Sequence, residues 1–119
     1  MRIDKDLVAA SATPLVLGIL AEGESYGYAI LAQVNELSRG QMQWTDGMLY
    51  PLLHRLERQG HVSSAWRVSE GGRRRKHYLI TESGRAALAE RRAQWGVVAE
   101  ALEQVWRGAT QPPVAKGWA

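Results

Sequence analysis

The chain has 119 residues, 45% of them hydrophobic and 23% charged, enough for one modest core and too little for two ordinary domains. It holds no cysteine, which excludes disulfide frameworks, thiolate metal sites and thiol redox sensing. The net charge of +3 hides an asymmetry, because His54 to Tyr78 carries seven cations against two anions while the remainder is net negative. Positive charge gathered on one segment is the footprint of a surface that meets polyanions. No apolar run approaches the roughly 20 residues of a bilayer span, and "MRIDKDLVAA" lacks the layout of a signal peptide, so a cytoplasmic protein without a membrane partner is expected.

Thr13 and Pro14 suit an N-cap and first helical residue ahead of the apolar run "LVLGILA", which stops near Gly23. The preceding "KDLVAASA" is either a separate turn or the front of one longer helix kinked at Pro14. Ser25 is expected to cap a second helix with Tyr26, Ile30, Val34 and Leu37 on one face, ended by Gly40. "QMQW" is a candidate short strand. Thr45 and Asp46 then open a third helix with a capping oxygen and a favourable negative charge.

In that third helix Leu49, Leu52, Leu53 and Leu56 form a core-facing stripe. Gly47, Pro51, His54 and Arg58 lie opposite, with Tyr50 and Arg55 on the flanks. Pro51 removes a helical hydrogen bond, and Gly60 closes the helix. Period-2 alternation follows, with Val62, Ser64, Trp66 and Val68 on one strand and Tyr78 and Ile80 on the next, joined through "SEGGR" as a hairpin. Thr81 caps a last long helix in which Leu88, Trp95 and Leu102 recur every seven residues, with Val98 and Val105 between them. Such a helix exceeds what a small body can cover and is expected to pack on a second copy of the chain. "ATQPPVAKGWA" reads as a disordered tail.

The order helix, helix, short strand, helix, hairpin, helix describes a mainly α fold with a small β-hairpin: a winged helix-turn-helix domain plus a C-terminal dimerisation helix. The expected division is residues 1–80 for the DNA-binding domain, 81–107 for the long helix and 108–119 for the tail. A basic hairpin tip beside a helix with outward Tyr50, His54 and Arg55 can place cations on DNA backbone while the helix enters the major groove. The same arginines can enter an adjacent minor groove.

"TDGMLYPLLHRLERQGHVSSAW", "EGGRRRKHYLITESGR" and "LVLGILAEGESYGYAI" together resemble the short members of the PadR family of bacterial transcriptional regulators, over roughly residues 7 to 106. The resemblance implies that the third helix is the recognition helix, the hairpin is the DNA-contacting wing, and the last helix exchanges with the partner's first helix in a homodimer. It implies a repressor released by a small aromatic or hydrophobic ligand, and two-fold symmetry of the dimer makes an inverted-repeat operator the expectation. The DNA-binding residues it points to are Thr45, Gly47, Met48, Tyr50, His54 and Arg55 on the helix, with Arg73, Arg74, Arg75, Lys76 and Tyr78 on the wing. Trp95 matches a ligand-sandwiching tryptophan of the multidrug-binding members, with Leu7, Ala10, Thr13, Leu17 and Ala99 as neighbouring pocket positions. Ala99 stands where those members carry an acidic residue and Arg92 replaces an aromatic, which favours neutral or anionic aromatic ligands over cations. His77 stands where the wing strand usually has Tyr or Phe.

Other readings are weaker. From its spacing alone Trp95 suits a dimer-core aromatic without a pocket better than a ligand contact, and the resemblance brings the two readings level. Trp44, Trp66 and Trp106 are expected in core or hairpin packing, and Tyr26 and Tyr28 in structural roles. His54, Glu57 and His61 lack a third convergent ligand for a metal because Gly60 breaks the helix, and no nucleophile constellation or phosphate loop is present. Neither an enzyme nor a cofactor is therefore expected. The alternative function is a winged-helix module that binds protein or RNA, which would show an apolar rather than a basic outward helix face.

Overall fold

Apolar side chains at helical spacing and one alternating hairpin produce four helices and a three-stranded sheet. The computed structural model describes residues 1–110. Helix α1 spans Lys5–Glu22, β1 Ser25–Tyr26, α2 Gly27–Leu37, α3 Asp46–Arg58, β2 Val62–Val68, β3 Arg74–Ile80 and α4 Glu82–Thr110. The strands order β1-β3-β2, both pairings antiparallel. This is the winged helix-turn-helix arrangement with a long C-terminal helix.

Of the two openings left by the sequence, the longer helix is realised. Helix α1 passes through Pro14 unbroken, and its N-cap is Asp4, whose carboxylate accepts from the Asp6 N–H at 2.8 Å. In α3, Pro51 also sits inside the helix; the acceptor it frees, the Gly47 carbonyl, is at an exposed position that water can serve. Thr45 is the N-cap of α3 by position, without a side-chain capping bond. Thr81 does cap α4, its Oγ1 accepting from the Gly84 N–H at 3.0 Å.

Three expectations are corrected. Ser25 does not cap α2: Ser25 and Tyr26 pair with Tyr78 and His77 of β3, so the sheet satisfies their backbone and the helix starts at Gly27. Leu37, placed on a buried face by its spacing, is exposed because α2 ends there. The stretch "QMQW" forms no strand; Trp44 drops into the core instead.

The core joins Val16, Leu17, Ile19 and Leu20 of α1, Ile30 and Val34 of α2, and the leucine stripe of α3 to Val62 and Tyr78 of the sheet. Side chains buried this fully each stabilise the fold by about 1.5–3 kcal/mol. Helix α4 starts against this body: a β-carbon on Gly84 would run into the His61 carbonyl, so only glycine lets the first turn sit so close. Farther out, Val97, Val98, Leu102, Val105 and Trp106 are exposed, and Trp106 is therefore not core packing. The helix continues three residues past the expected end at 107, and the rest of the expected tail, 111–119, lies outside the described residues.

Candidate nucleic-acid interface

The hairpin presents two faces that differ in chemistry. Cross-strand partners Val62–Ile80, Ser64–Tyr78, Trp66–Lys76 and Val68–Arg74 share one face; Ala65–His77 and Arg67–Arg75 share the other. The turn closes with Ser69 N–H to the Arg73 carbonyl at 2.9 Å and Gly72 N–H to the Ser69 carbonyl at 2.9 Å. Gly72 adopts φ 80°, the left-handed conformation that glycine takes without strain.

The wing, the outward side of α3 and the stretch around β1 enclose a groove of about 530 Å³. Tyr50 and His54 line it from α3, Arg73, Arg74, Arg75, Lys76, Trp66 and Tyr78 from the wing, and Tyr26, Gly27 and Tyr28 from β1 and the start of α2. Tyr50 and His54 form a ring pair with centroids 6.5 Å apart. The Tyr50 hydroxyl lies against Gly27 so closely that a β-carbon there would collide with it.

Most wing cations are held. Arg74 lies over the Trp66 ring at 4.8 Å and Arg75 over the Tyr26 ring at 4.5 Å. Lys76 lies 3.9 Å from the Glu57 carboxylate, which also accepts from the Ser64 hydroxyl at 2.6 Å. On the second face Arg67 forks onto Glu24, with contacts of 3.0 and 3.1 Å. The Arg67 hydrogen bond is the main cause holding the Glu24 carboxyl below the ordinary value of 4.5. Held cations lose little freedom on meeting phosphate, the condition for tight contact at low entropic cost.

The predicted residues divide accordingly. Tyr50, His54, Arg73, Arg74, Arg75 and Lys76 come together in the groove. Thr45 and Gly47 are exposed at the start of α3, and Met48 packs partly on the core. Arg55 turns the other way, donating to Thr13 Oγ1 on α1 at 3.3 Å. Tyr78 also lines the groove, but it is only 1% exposed. The hairpin face is core at its base and solvent at its tip, so Tyr78 anchors the wing from inside. Burial, then the charge of Glu57, pushes its hydroxyl above the ordinary value of 10.0. Sequence reasoning missed Glu24, Arg67 and the groove-lining roles of Tyr26, Tyr28 and Trp66. Trp66 is 59% exposed, although an exposed aromatic on the same strand face as a basic tip was a usable signal.

A second groove, of about 480 Å³, runs between α1 and α4, lined by Ser11, Pro14, Leu15, Gly18, Ala21, Leu88, Arg92 and Trp95. Of the predicted pocket residues only Trp95 lines it. Leu17 is corrected to the core, at 0% exposure, because it points inward from α1. Thr13 receives Arg55, while Leu7, Ala10 and Ala99 are exposed outside the lining.

A helix pair whose second member shares a groove with a basic, internally pinned wing defines a winged helix-turn-helix regulator that binds DNA. The Transcriptional regulator PadR-like family matches residues 16–90, and the chain belongs to that family. A transcriptional regulator of Mycobacterium tuberculosis, Rv3488, is 47% identical over 77 residues, covering 65% of this chain and 68% of that protein. A PadR-like transcriptional regulator from Bacillus cereus superposes with a TM-score of 0.76 at 27% identity, covering 85% of this chain and 96% of that one. A PadR family regulator from Eggerthella lenta gives 0.73 at 33% identity, with 85% and 86% covered. Trp95 and the outer half of α4 lie beyond the family match.

Proposed function

We propose that this regulator is a homodimeric, sequence-specific repressor, released from an inverted-repeat operator by a small aromatic or hydrophobic ligand at the dimer interface. The observation that carries the DNA-reading part is the groove shared by α3 and the wing, where Tyr50 and His54 face Arg73, Arg74 and Arg75. Helix α3 reads base edges from the major groove, with Thr45, Gly47 and Met48 at its leading end, and the wing arginines fix the register on the backbone. Lys76 adds to the contact once it leaves Glu57.

The dimer is supported by the exposed apolar seam of α4, Val98, Leu102 and Val105, which has no cover among the described residues. Two-fold symmetry then sets half-sites about 34–36 Å apart. The ligand reading is supported by Trp95 in an apolar groove of a size that suits a small molecule. Arg92 stands at that groove with no carboxylate in the lining, which favours neutral or anionic aromatics. A ligand releases DNA only by binding one arrangement of the two reading heads better than the other.

Fluorescence anisotropy tests the reading, with a duplex from upstream of the protein's own gene beside an unrelated duplex at two salt concentrations. Tight, discriminating binding by a species of dimer mass in light scattering is expected. Weak binding, equal on both duplexes and lost with salt, would sink the specific-repressor reading.

A further inference from the structure

Arg67 and Arg75 stand directly opposite each other across β2 and β3, with His77 next on the same face. Like charges so placed repel and weaken strand pairing. The stretch from Glu24 to Tyr26, between α1 and α2, lies against this face and receives all three basic side chains. Glu24 takes the Arg67 guanidinium with both carboxylate oxygens, at 3.0 and 3.1 Å. Its Oε2 also lies 2.9 Å from His77 Nδ1, without the direction of a hydrogen bond. Two residues on, Tyr26 pairs with His77 in the sheet and lies beneath Arg75 at 4.5 Å. The next residue, Gly27, is the one against which the Tyr50 hydroxyl of α3 rests. Within four residues the chain touches both strands of the wing and the helix beside it.

We propose that Glu24 is a positioning residue for DNA recognition, holding the wing at the pitch relative to α3 at which Arg73, Arg74 and Arg75 meet the duplex that α3 reads. This rests on the DNA-contacting roles proposed above for α3 and the wing. As a contribution to folding the ion pair is minor, because its side chains are 48% and 35% exposed and such pairs add little to stability. Its effect is on geometry, and variants at Glu24 are expected to fold.

The sign of one substitution separates geometry from charge. Glu24 is an anion on an element that meets a polyanion. Acting through charge alone, its replacement by Gln would free Arg67, remove a repulsion and tighten binding to every duplex alike. Acting through position, the replacement weakens binding to the preferred duplex while leaving or raising binding to others. The preference ratio then falls about tenfold, the scale of one mismatched contact.

The experiment takes the duplex that the wild-type protein enriches from a random pool, beside a scrambled duplex of the same composition, and measures anisotropy for E24Q, R67Q, their combination and R73A/R74A/R75A. The expected result is a roughly tenfold lower ratio for each single variant and little further loss in the combination, the mark of two residues acting as one unit. An unchanged ratio in E24Q, or losses that simply add, overturns the inference. R67Q reads the same ratio independently should E24Q fail to fold. The triple variant guards the premise: if it binds like wild type, the wing reading itself fails, whereas a weakened triple with an unaltered E24Q ratio sinks only the positioning role.

Discussion

The groove between α3 and the wing and the groove between α1 and α4 are nearly equal in volume, about 530 and 480 Å³, and opposite in character. In the first, four consecutive cations face tyrosines, a tryptophan and a histidine, and Arg74, Arg75 and Lys76 are each already held by a ring or a carboxylate. In the second, Pro14, Leu15, Gly18, Ala21, Leu88 and Trp95 leave apolar surface with one cation, Arg92. A surface that will meet phosphate gains from having its charges set in advance, since their ordering is not left to the moment of binding. An apolar groove needs only shape and exclusion of water. One chain of this size can therefore keep a basic groove and an apolar groove apart, with α1 and the turn after it as the physical link.

The largest expected effect breaks the first groove alone. Replacing Arg73, Arg74 and Arg75 by Ala removes up to three phosphate contacts, so the slope of log affinity against log salt becomes shallower by up to about 2.7. Affinity at low salt falls by roughly a hundredfold or more, and the mass seen in light scattering stays that of the wild type. A salt slope equal to that of the wild type would show that the held cations never reach the backbone.

Trp95→Ala is the complementary cut. Ligand-dependent release of DNA and ligand-dependent quenching of tryptophan fluorescence are expected to vanish, while DNA affinity without ligand stays within about twofold, since the two sites share no residue. Parallel loss of both would mean that Trp95 holds the dimer together instead of sensing a ligand.

Gly27→Ala has a smaller effect and tests how tightly the first groove is built. Its β-carbon would collide with the Tyr50 hydroxyl, and overpacking of this kind costs about 1–3 kcal/mol unless the ring moves. Denaturant unfolding of the variant is expected to show that loss, with partial recovery when Tyr50→Phe removes the colliding oxygen. Stability equal to wild type together with weaker DNA binding would show that Tyr50 swings aside and takes the reading surface with it.

What was legible in the sequence follows the range of the interaction. The leucine stripe of α3, the alternation of the hairpin and the Thr81 cap are local patterns, and each is found where its spacing placed it. Strand β1 was not legible, because two residues have no period and their partners in β3 stand about 50 positions away. Glu24 was invisible for the same reason: a glutamate beside a glycine reads as a solvated turn until Arg67 is folded next to it. The resemblance placed Leu17 in the pocket and Tyr78 on the wing surface, but a matched position carries no depth, and both side chains are buried. The wing face runs from core at Val62 to solvent at Val68 without any change in its alternation. The groove residues were found where basic charge and helical position agreed, and missed where an aromatic side chain was assigned to packing by default, as with Trp66.

The smallest expected effects come from pH, and they bound the window in which the comparison holds. Because Arg67 holds Glu24 below 4.5, folding favours its carboxylate. The contribution is present above that value and is lost as pH falls through the lower folded-state value. Tyr78 is the opposite case: burial raises its hydroxyl above 10.0, so its contribution is complete below that pH and is lost as pH rises through the folded-state value. Between these limits neither group changes charge, and their effect on the wing is expected to be flat through neutrality. Melting temperature followed from acid to alkaline pH checks both ends. Glu24→Gln should flatten part of the acid limb and leave the alkaline one, and Tyr78→Phe should do the reverse. An acid limb identical in Glu24→Gln and wild type would mean that the Arg67 pair does not persist in solution. The wing would then have to be held without it, by β1 pairing, by Tyr26 and by the buried Tyr78.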